Sequence, residues 1–235
     1  MPAYCPHGRI LRAWQRQIDA NFDDTYDARS RAMDDIDDAL NAVIVTPFHA
    51  WLRVIGTTAQ VFRLSQEDGD FLSIGDVVGL YDNTNKVLKP RRVTVAQIET
   101  QSDGLVAVTY TGTFAVADND EVAVVWTHEA GGRTLTVVGP PREVQSRAVA
   151  LARYYALGDI TDLDEPPDTL GDAYVAATEW LAERGSGRGR IRGATYRGVS
   201  ASATRMEHHP AIDVDDPEHW DEDEDLILEI GQDRL

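Results

Sequence analysis

The 235-residue chain has a single cysteine, Cys5, and only two lysines, Lys86 and Lys89. One cysteine excludes an intrachain disulfide and any thiol-based metal knuckle, and a lone free thiol fits a reducing compartment. Long apolar runs are missing as well. No stretch approaches the roughly 20 residues needed to span a bilayer, and the amino-terminal MPAYCPHGRILRAWQRQ has no signal-peptide apolar core. These absences predict a soluble protein made in the cytoplasm, with no membrane partner. Positive charge is scarce: 22 Lys and Arg face 40 Asp and Glu, for a net charge of -18. That balance argues against a general nucleic-acid-binding surface. Aromatics make up 8% of the chain, and Trp51, Trp126 and Trp180 each sit inside a periodic apolar pattern. They read as core or subunit-interface packing in preference to base stacking.

Of the 40 acids 27 are Asp, and all bases other than Lys86 and Lys89 are Arg. Short carboxylates keep a surface hydrated in molar salt, where screening removes their repulsion. The skew points to a halophilic, archaeal source. The alternative, an acidic mesophilic protein of a GC-rich genome, explains the missing lysine but accounts less well for the excess Asp. With 43% hydrophobic residues the chain can build one ordinary domain or two small ones.

Residues 24-45 predict a helix, with Met33, Ile36, Leu40 and Val43 at 3.6-type spacing and Pro47 as the stop. A shorter helix over 8-19 follows from Ile10, Leu11, Trp14 and Ile18. From residue 52 the period becomes two. The segments 58-64, 71-82, 92-99, 105-114, 121-127 and 133-138 are rich in Val, Thr, Ile and Phe and are separated by turn signals such as Ser102-Asp103-Gly104. Six short strands suggest a small closed barrel of SH3-like or OB-like type. Helical spacing resumes over 142-158, with Gly158 as the stop, and over 168-184. The fold class expected is α+β. Residues 1-50 and 139-184 form two parts of a small α-helical domain, 51-138 an inserted, self-contained β-barrel, and 185-235 an extended carboxyl arm.

That arm is charge-segregated. Residues 184-205 hold six Arg and no acid, residues 206-235 hold twelve acids and one Arg, and residues 1-183 keep a net -13. Glycines and serines make the basic part flexible, while Arg188, Arg190, Arg192, Arg197 and Arg205 supply paired hydrogen bonds to carboxylates and Ile191, Tyr196 and Val199 supply apolar anchors. The pattern predicts a partner-binding arm, disordered when free and ordered on docking against an acidic partner.

Signatures of catalysis are absent, and the chain is read as a non-enzyme without cofactor or metal. Gly185-Ser186-Gly187-Arg188-Gly189-Arg190 follows a helix instead of a strand and lacks the Lys-Ser/Thr ending of a phosphate loop. In Glu207-His208-His209-Pro210 the adjacent imidazoles point to opposite sides of an extended chain. Asp34, Asp35, Asp37 and Asp38 include neighbours about 100° apart on a helix and read as a solvated face. Asp19, Asp23, Asp24 and Asp27 lack the glycine and glutamate of a calcium loop, and Ser146, Ser200 and Ser202 lack nucleophile-elbow glycines.

The stretches Gly139-Pro140-Pro141-Arg142-Glu143-Val144, Val149 through Gly158 (VALARYYALG), Tyr174 through Leu181 (YVAATEWL) and Gly185-Ser186-Gly187 resemble the head-tail connector proteins of tailed phages, above all the Mu-like adaptor branch. Asp34-Asp35-Ile36-Asp37-Asp38-Ala39-Leu40 corresponds to the acidic helix of that pattern. The likeness covers 25-48 and 139-198, and its motifs are degenerate helical patterns. It departs from the compact members in the β-segment 52-138 and in the acidic tail 206-235. The resemblance implies a structural virion protein of a haloarchaeal tailed virus, assembled in the host cytoplasm and located in the neck. It implies a homo-oligomeric ring, commonly dodecameric, docked under the portal protein, with the next neck or tail-completion protein on its other face. The genome passes through the channel without specific binding. Arg188, Arg190, Ile191, Arg192, Tyr196, Arg197 and Val199 are the expected portal contacts. Two other classes compete with this one: a halophilic ligand- or glycan-binding module on a helical oligomerisation base, and an enzyme whose site is assembled from scattered carboxylates.

Excess negative charge makes the folded state self-repelling at low ionic strength, where the Debye length grows to about 30 Å at 0.01 M. Thermal melts and sedimentation across a salt series should show a lower melting temperature or a dissociated oligomer at the low end. Equal stability from millimolar to molar salt would remove the halophilic inference.

Overall fold

Three helices carry the periodic apolar faces read from the sequence. A computed structural model describes residues 2-11, 25-44, 48-112, 115-130, 132-161 and 168-197. In α2 (Tyr26–Leu40) the stripe Ala28, Ala32, Ile36 and Leu40 is buried, while Asp34, Asp35 and Asp38 face water. In α4 (Arg142–Thr161) the buried set is Val144, Ala148, Leu151, Ala152 and Ala156, and in α5 (Asp168–Gly185) it is Ala177, Trp180 and Leu181. The three pack on one another, and the short α1 (His7–Leu11) rests against α4.

The strands are β1 (Leu52–Arg53), β2 (Gly56–Thr58), β3 (Val61–Ser65), β4 (Val77–Asp82), β5 (Val87–Thr100), β6 (Leu105–Thr111), β7 (Asp120–Ala130) and β8 (Arg133–Val138), with a one-turn α3 (Gln66–Gly69) after β3. They form one antiparallel sheet in the order β1-β7-β4-β5-β6-β3-β2, and β8 pairs with β7. Alternation places Phe62, Leu64, Val106, Val108 and Tyr110 inside. The sheet curls into a partial barrel whose seam is 52-58: β1 pairs with β7, β2 pairs with β3, and between them the Val54 N–H reaches the Asp120 carbonyl at 3.0 Å and the Ile55 N–H the Arg63 carbonyl at 2.9 Å.

The described residues all belong to one compact unit, Met1–Arg197. The positions 50, 138 and 184, expected as domain boundaries, are changes of element within it. One continuous set of buried side chains runs from Ile36, Leu151 and Leu181 in the helices to Val78, Val95 and Val122 in the sheet, and Trp51, Tyr81 and Ala123 form a second, smaller cluster with Val138 against it.

Several element limits differ from the sequence reading for identifiable reasons. The helix expected over 24-45 ends at Leu40, where the Asn41 N–H closes on Asp37 and the following turn is held from outside the helix. Pro47 and the 12-19 part of the first helix lie outside the described residues. The 58-64 segment is split by a turn with Gln60 at φ 59°. Residues 71-76 are loop and not strand, β5 begins at Val87 and not at 92, and α4 passes through Gly158 to Thr161.

A buried polar knot joins the layers. Glu121 on β7 and Arg29 on α2 are 0% and 2% exposed and form an ion pair. The His7 N–H donates to Glu121 Oε2 at 2.7 Å, Arg29 Nη1 donates to the Cys5 carbonyl at 3.3 Å, and His7 Nδ1 shares a hydrogen bond with Thr25 Oγ1. Around it, Arg153 of α4 donates to the Arg9 carbonyl at 2.8 Å, Arg9 donates to Gln145, and the Gly8 N–H donates to Asn83. Ala3 and Trp51 exchange both backbone hydrogen bonds, at 3.0 and 2.7 Å.

Removing one member of a buried ion pair strands the other away from water, at a cost of about 3–5 kcal/mol, whereas replacing both with apolar groups is close to neutral. Urea titrations should therefore show Arg29→Ala losing stability on that scale and Arg29→Met/Glu121→Leu recovering most of it. A neutral Arg29→Ala would mean that the pair contributes no constraint.

Candidate functional site

The expected partner-binding residues fall on a strap, 186-197, that returns across the chain's own surface. Helix α5 is closed by Ser186, Gly187 and Arg188, whose N–H groups donate to the carbonyls of Ala182, Arg184 and Glu183. The chain then lays Ile191 into the core at 2% exposure, with Ala194 and Tyr196 packed beside it. Tyr196 bridges to Ile44, and its hydroxyl accepts from the Ile191 N–H. Arg197 ends the strap on the exit turn of α2: its backbone N–H donates to Val43 at 2.8 Å, and its Nε donates to the Asn41 and Ile44 carbonyls at 2.9 and 3.0 Å. These are the contacts that hold the turn after Leu40 and let the helix stop there without Pro47.

Gly193 sits at φ 80°, and a Cβ there would lie 2.2 Å from the Trp126 ring on β7. A glycine is required on both counts, the left-handed backbone and the close approach to the indole. Strap and sheet therefore approach at Trp126, while the strap meets the turn after α2 at Ile44.

The strap brings Ile191, Tyr196 and Arg197 together, but against this chain. Two of the three apolar anchors expected to await a partner, Ile191 and Tyr196, are already in use, and the Arg197 guanidinium is occupied by the Asn41 and Ile44 carbonyls of the turn after α2. Arg188, Arg190 and Arg192 are exposed on the outer side, and Val199 lies outside the described residues. Free-chain disorder was expected from the glycine content; over 186-197 the chain instead follows a defined path, with Ile191 buried in the core and Tyr196 packed beside it.

Beside the strap lies a feature that the sequence reading passed over. Beyond the last residue of β7 paired to β4, Val124, the strand continues as a two-stranded ribbon with β8, from Val125↔Val138 to Ala130↔Arg133. The join is Gly131-Gly132, with Gly132 at φ 71°, a two-residue hairpin signal legible in the sequence. One face carries Trp126, His128, Leu135 and Val137; the other carries Thr127, Glu129, Thr134 and Thr136. Trp126 stacks obliquely on His128 at 5.4 Å and on His49 at 6.1 Å, and donates from Nε1 to the Gly139 carbonyl. Burial holds the His49 pKa below its ordinary value. Leu135 is 40% exposed.

Elsewhere the reactive groups are committed to packing. The Cys5 thiol is buried, and desolvation pushes its pKa up to about 12, which removes the thiolate at neutral pH. Tyr4 donates to Asp37 and Tyr155 to Asp35, tying two of the α2 aspartates to neighbouring elements. Among the described residues no three His, Cys, Asp or Glu side chains are grouped to hold a metal, and no helix is long and apolar enough to cross a membrane.

No family model, curated protein or solved structure matches the chain.

Replacing Gly193 with Ala adds a Cβ at a positive φ and into the Trp126 ring, so the strap should lift. Limited trypsin digestion should cut Gly193→Ala after Arg188, Arg190 and Arg192 faster than the parent, with the melting of the remainder little changed. Equal cleavage rates would show that the strap is not held there.

Proposed function

We propose that the protein is a structural virion component, a head-tail adaptor that forms a ring beneath the portal of a haloarchaeal tailed virus and passes the genome to the next neck or tail protein. The observation that carries this reading is the meeting of the likeness-bearing segments. The acidic helix, the helix after Pro140-Pro141 and the YVAATEWL helix are separated by a long β-segment, yet α2, α4 and α5 pack on one another through Ile36, Leu40, Ala148, Leu151, Ala177 and Leu181. Segments that resemble one compact helical connector domain thus occupy one compact helical layer.

Charge supports the same reading. Asp34, Asp35 and Asp38 are exposed on α2, and a carboxylate-lined wall lets a phosphate backbone slide past without adhering. In this reading α2, α4 and α5 are the connector domain. The strap fixes where the carboxyl arm departs, and Arg188, Arg190 and Arg192 are the described basic side chains offered to an acidic portal surface.

Negative-stain images of the purified protein in molar salt test it. Rings with a central hole are the expected outcome. Solid, single-copy particles at every concentration, with and without a portal protein, would overturn the adaptor reading and favour a ligand-binding module.

A further inference from the structure

The sheet has three kinds of open edge, and the chain treats them differently. At 87-92, β5 pairs with β4 on one side, while β6 covers only Thr94 through Thr100 on the other. That open stretch carries Lys89, Pro90, Arg91 and Arg92, is itself bulged, with residues 89-91 standing against Leu80 alone between the Gly79↔Arg92 and Tyr81↔Leu88 pairs, and anchors Lys89 to Asp120 at 2.6 Å. Proline, bulge and positive charge are the devices that stop another strand from adding. The seam strands β1 and β2 are blunted by length, at two and three residues.

The β7–β8 ribbon has none of these guards. Among the described residues, Val125 through Ala130 pair only with β8, and β8 pairs only with β7. Between Arg133 and Gly139 the sequence is Thr-Leu-Thr-Val-Val, with strong strand propensity and without charge or proline. The Gly139 N–H donates to the Val124 carbonyl at 2.9 Å, and the register beyond it is unbroken. Alternation then turns the backbone N–H and C=O groups of Thr127 and Glu129 outward on one edge and those of Thr134 and Thr136 outward on the other. An isolated two-stranded ribbon is marginal in water.

We infer that this ribbon joins copies of the chain, the outer edge of β8 in one copy pairing with the outer edge of β7 in the next. The inference deepens the ring reading above and rests on it. When ribbons of neighbouring copies point the same way, β8 of one and β7 of the next run antiparallel, so addition continues the existing ladder. Like-to-like pairing would instead need neighbouring ribbons to point in opposite directions. A contact between two different surfaces of one subunit gives a ring when its rotation closes and an open filament when it does not. The amphipathic faces stay in register around it, with Trp126, His128, Leu135 and Val137 on one side and Thr127, Glu129, Thr134 and Thr136 on the other.

Two edge variants and a cysteine scan test the contact. Thr136→Pro removes an outward N–H while sparing the bonds to β7, and Thr134→Lys copies the guard found on β5. Thr136→Pro should weaken self-association by about tenfold or more, the effect of one backbone hydrogen bond left unmade at a buried edge, and Thr134→Lys should weaken it through its charge, both with near-ultraviolet circular dichroism unchanged. Thr127→Cys or Glu129→Cys protein, mixed with Thr134→Cys or Thr136→Cys protein and oxidised, should give a disulfide-linked pair in at least one mixture and in none of the separate variants. Rings that persist without a cross-link in any mixture would overturn the ribbon contact and leave the adaptor reading standing. A cross-linked mixture whose images show no ring would keep the contact and remove the adaptor reading. Cross-linking of Thr136→Cys protein to itself would overturn the direction proposed.

Discussion

A carboxylate held at 0% exposure must be answered where it stands, and Glu121 is answered from two other stretches of the chain. Arg29 comes from α2 and the His7 N–H from the amino-terminal segment, and the same Arg29 also holds the Cys5 carbonyl. Burial on this scale costs several kcal/mol per ion and is tolerated only when the partners are complete. The sheet cannot settle on β7 without the helix, and the helix cannot bury its arginine without the sheet. That mutual requirement is a physical reason why one core extends across residues that change from helix to strand and back.

The remaining layers follow from that seat. Residues 3-10, once fixed against β7, offer the Arg9 carbonyl to Arg153 and the Gly8 N–H to Asn83, which places α4 and the β4–β5 turn. With α2 and α4 in place, α5 has a surface to pack on, and its exit directs the strap back over Trp126 to the end of α2. The strap in turn satisfies the Asn41 and Ile44 carbonyls that the helix leaves exposed. Each element supplies the polar partner that the previous one lacks.

Much of this was legible in the sequence, where local periodicity decides. The apolar stripes of α2, α4 and α5 and the alternation of β3 and β6 were all visible, because burial of one face dictates spacing within a single element. The limits of elements were less visible, because they depend on groups far along the chain: α2 stops where Arg197 reaches it, 156 residues later. Arg29 falls on the core stripe of its own helix, but its partner on β7 lies 92 residues away and no local pattern points to it. The strap was expected to be free because glycine content was weighed above Ile191 and Tyr196. Both strands of the ribbon were legible over 121-127 and 133-138, but their pairing beyond the end of the β4 ladder depends on where β4 begins, which no pattern within β7 or β8 reveals.

The amino-terminal segment also sets an order of events during synthesis. Residues 3-10 are made well before their partners: the His7 N–H meets its acceptor 114 residues later and the Arg9 carbonyl meets its donor 144 residues later. Contacts of such separation close slowly and late. The nascent chain must therefore carry Tyr4, Cys5 and Ile10, all fully buried at the end, as exposed apolar groups until β7 and α4 have been translated. Residues 3-10 are therefore among the last of the described parts to find their place.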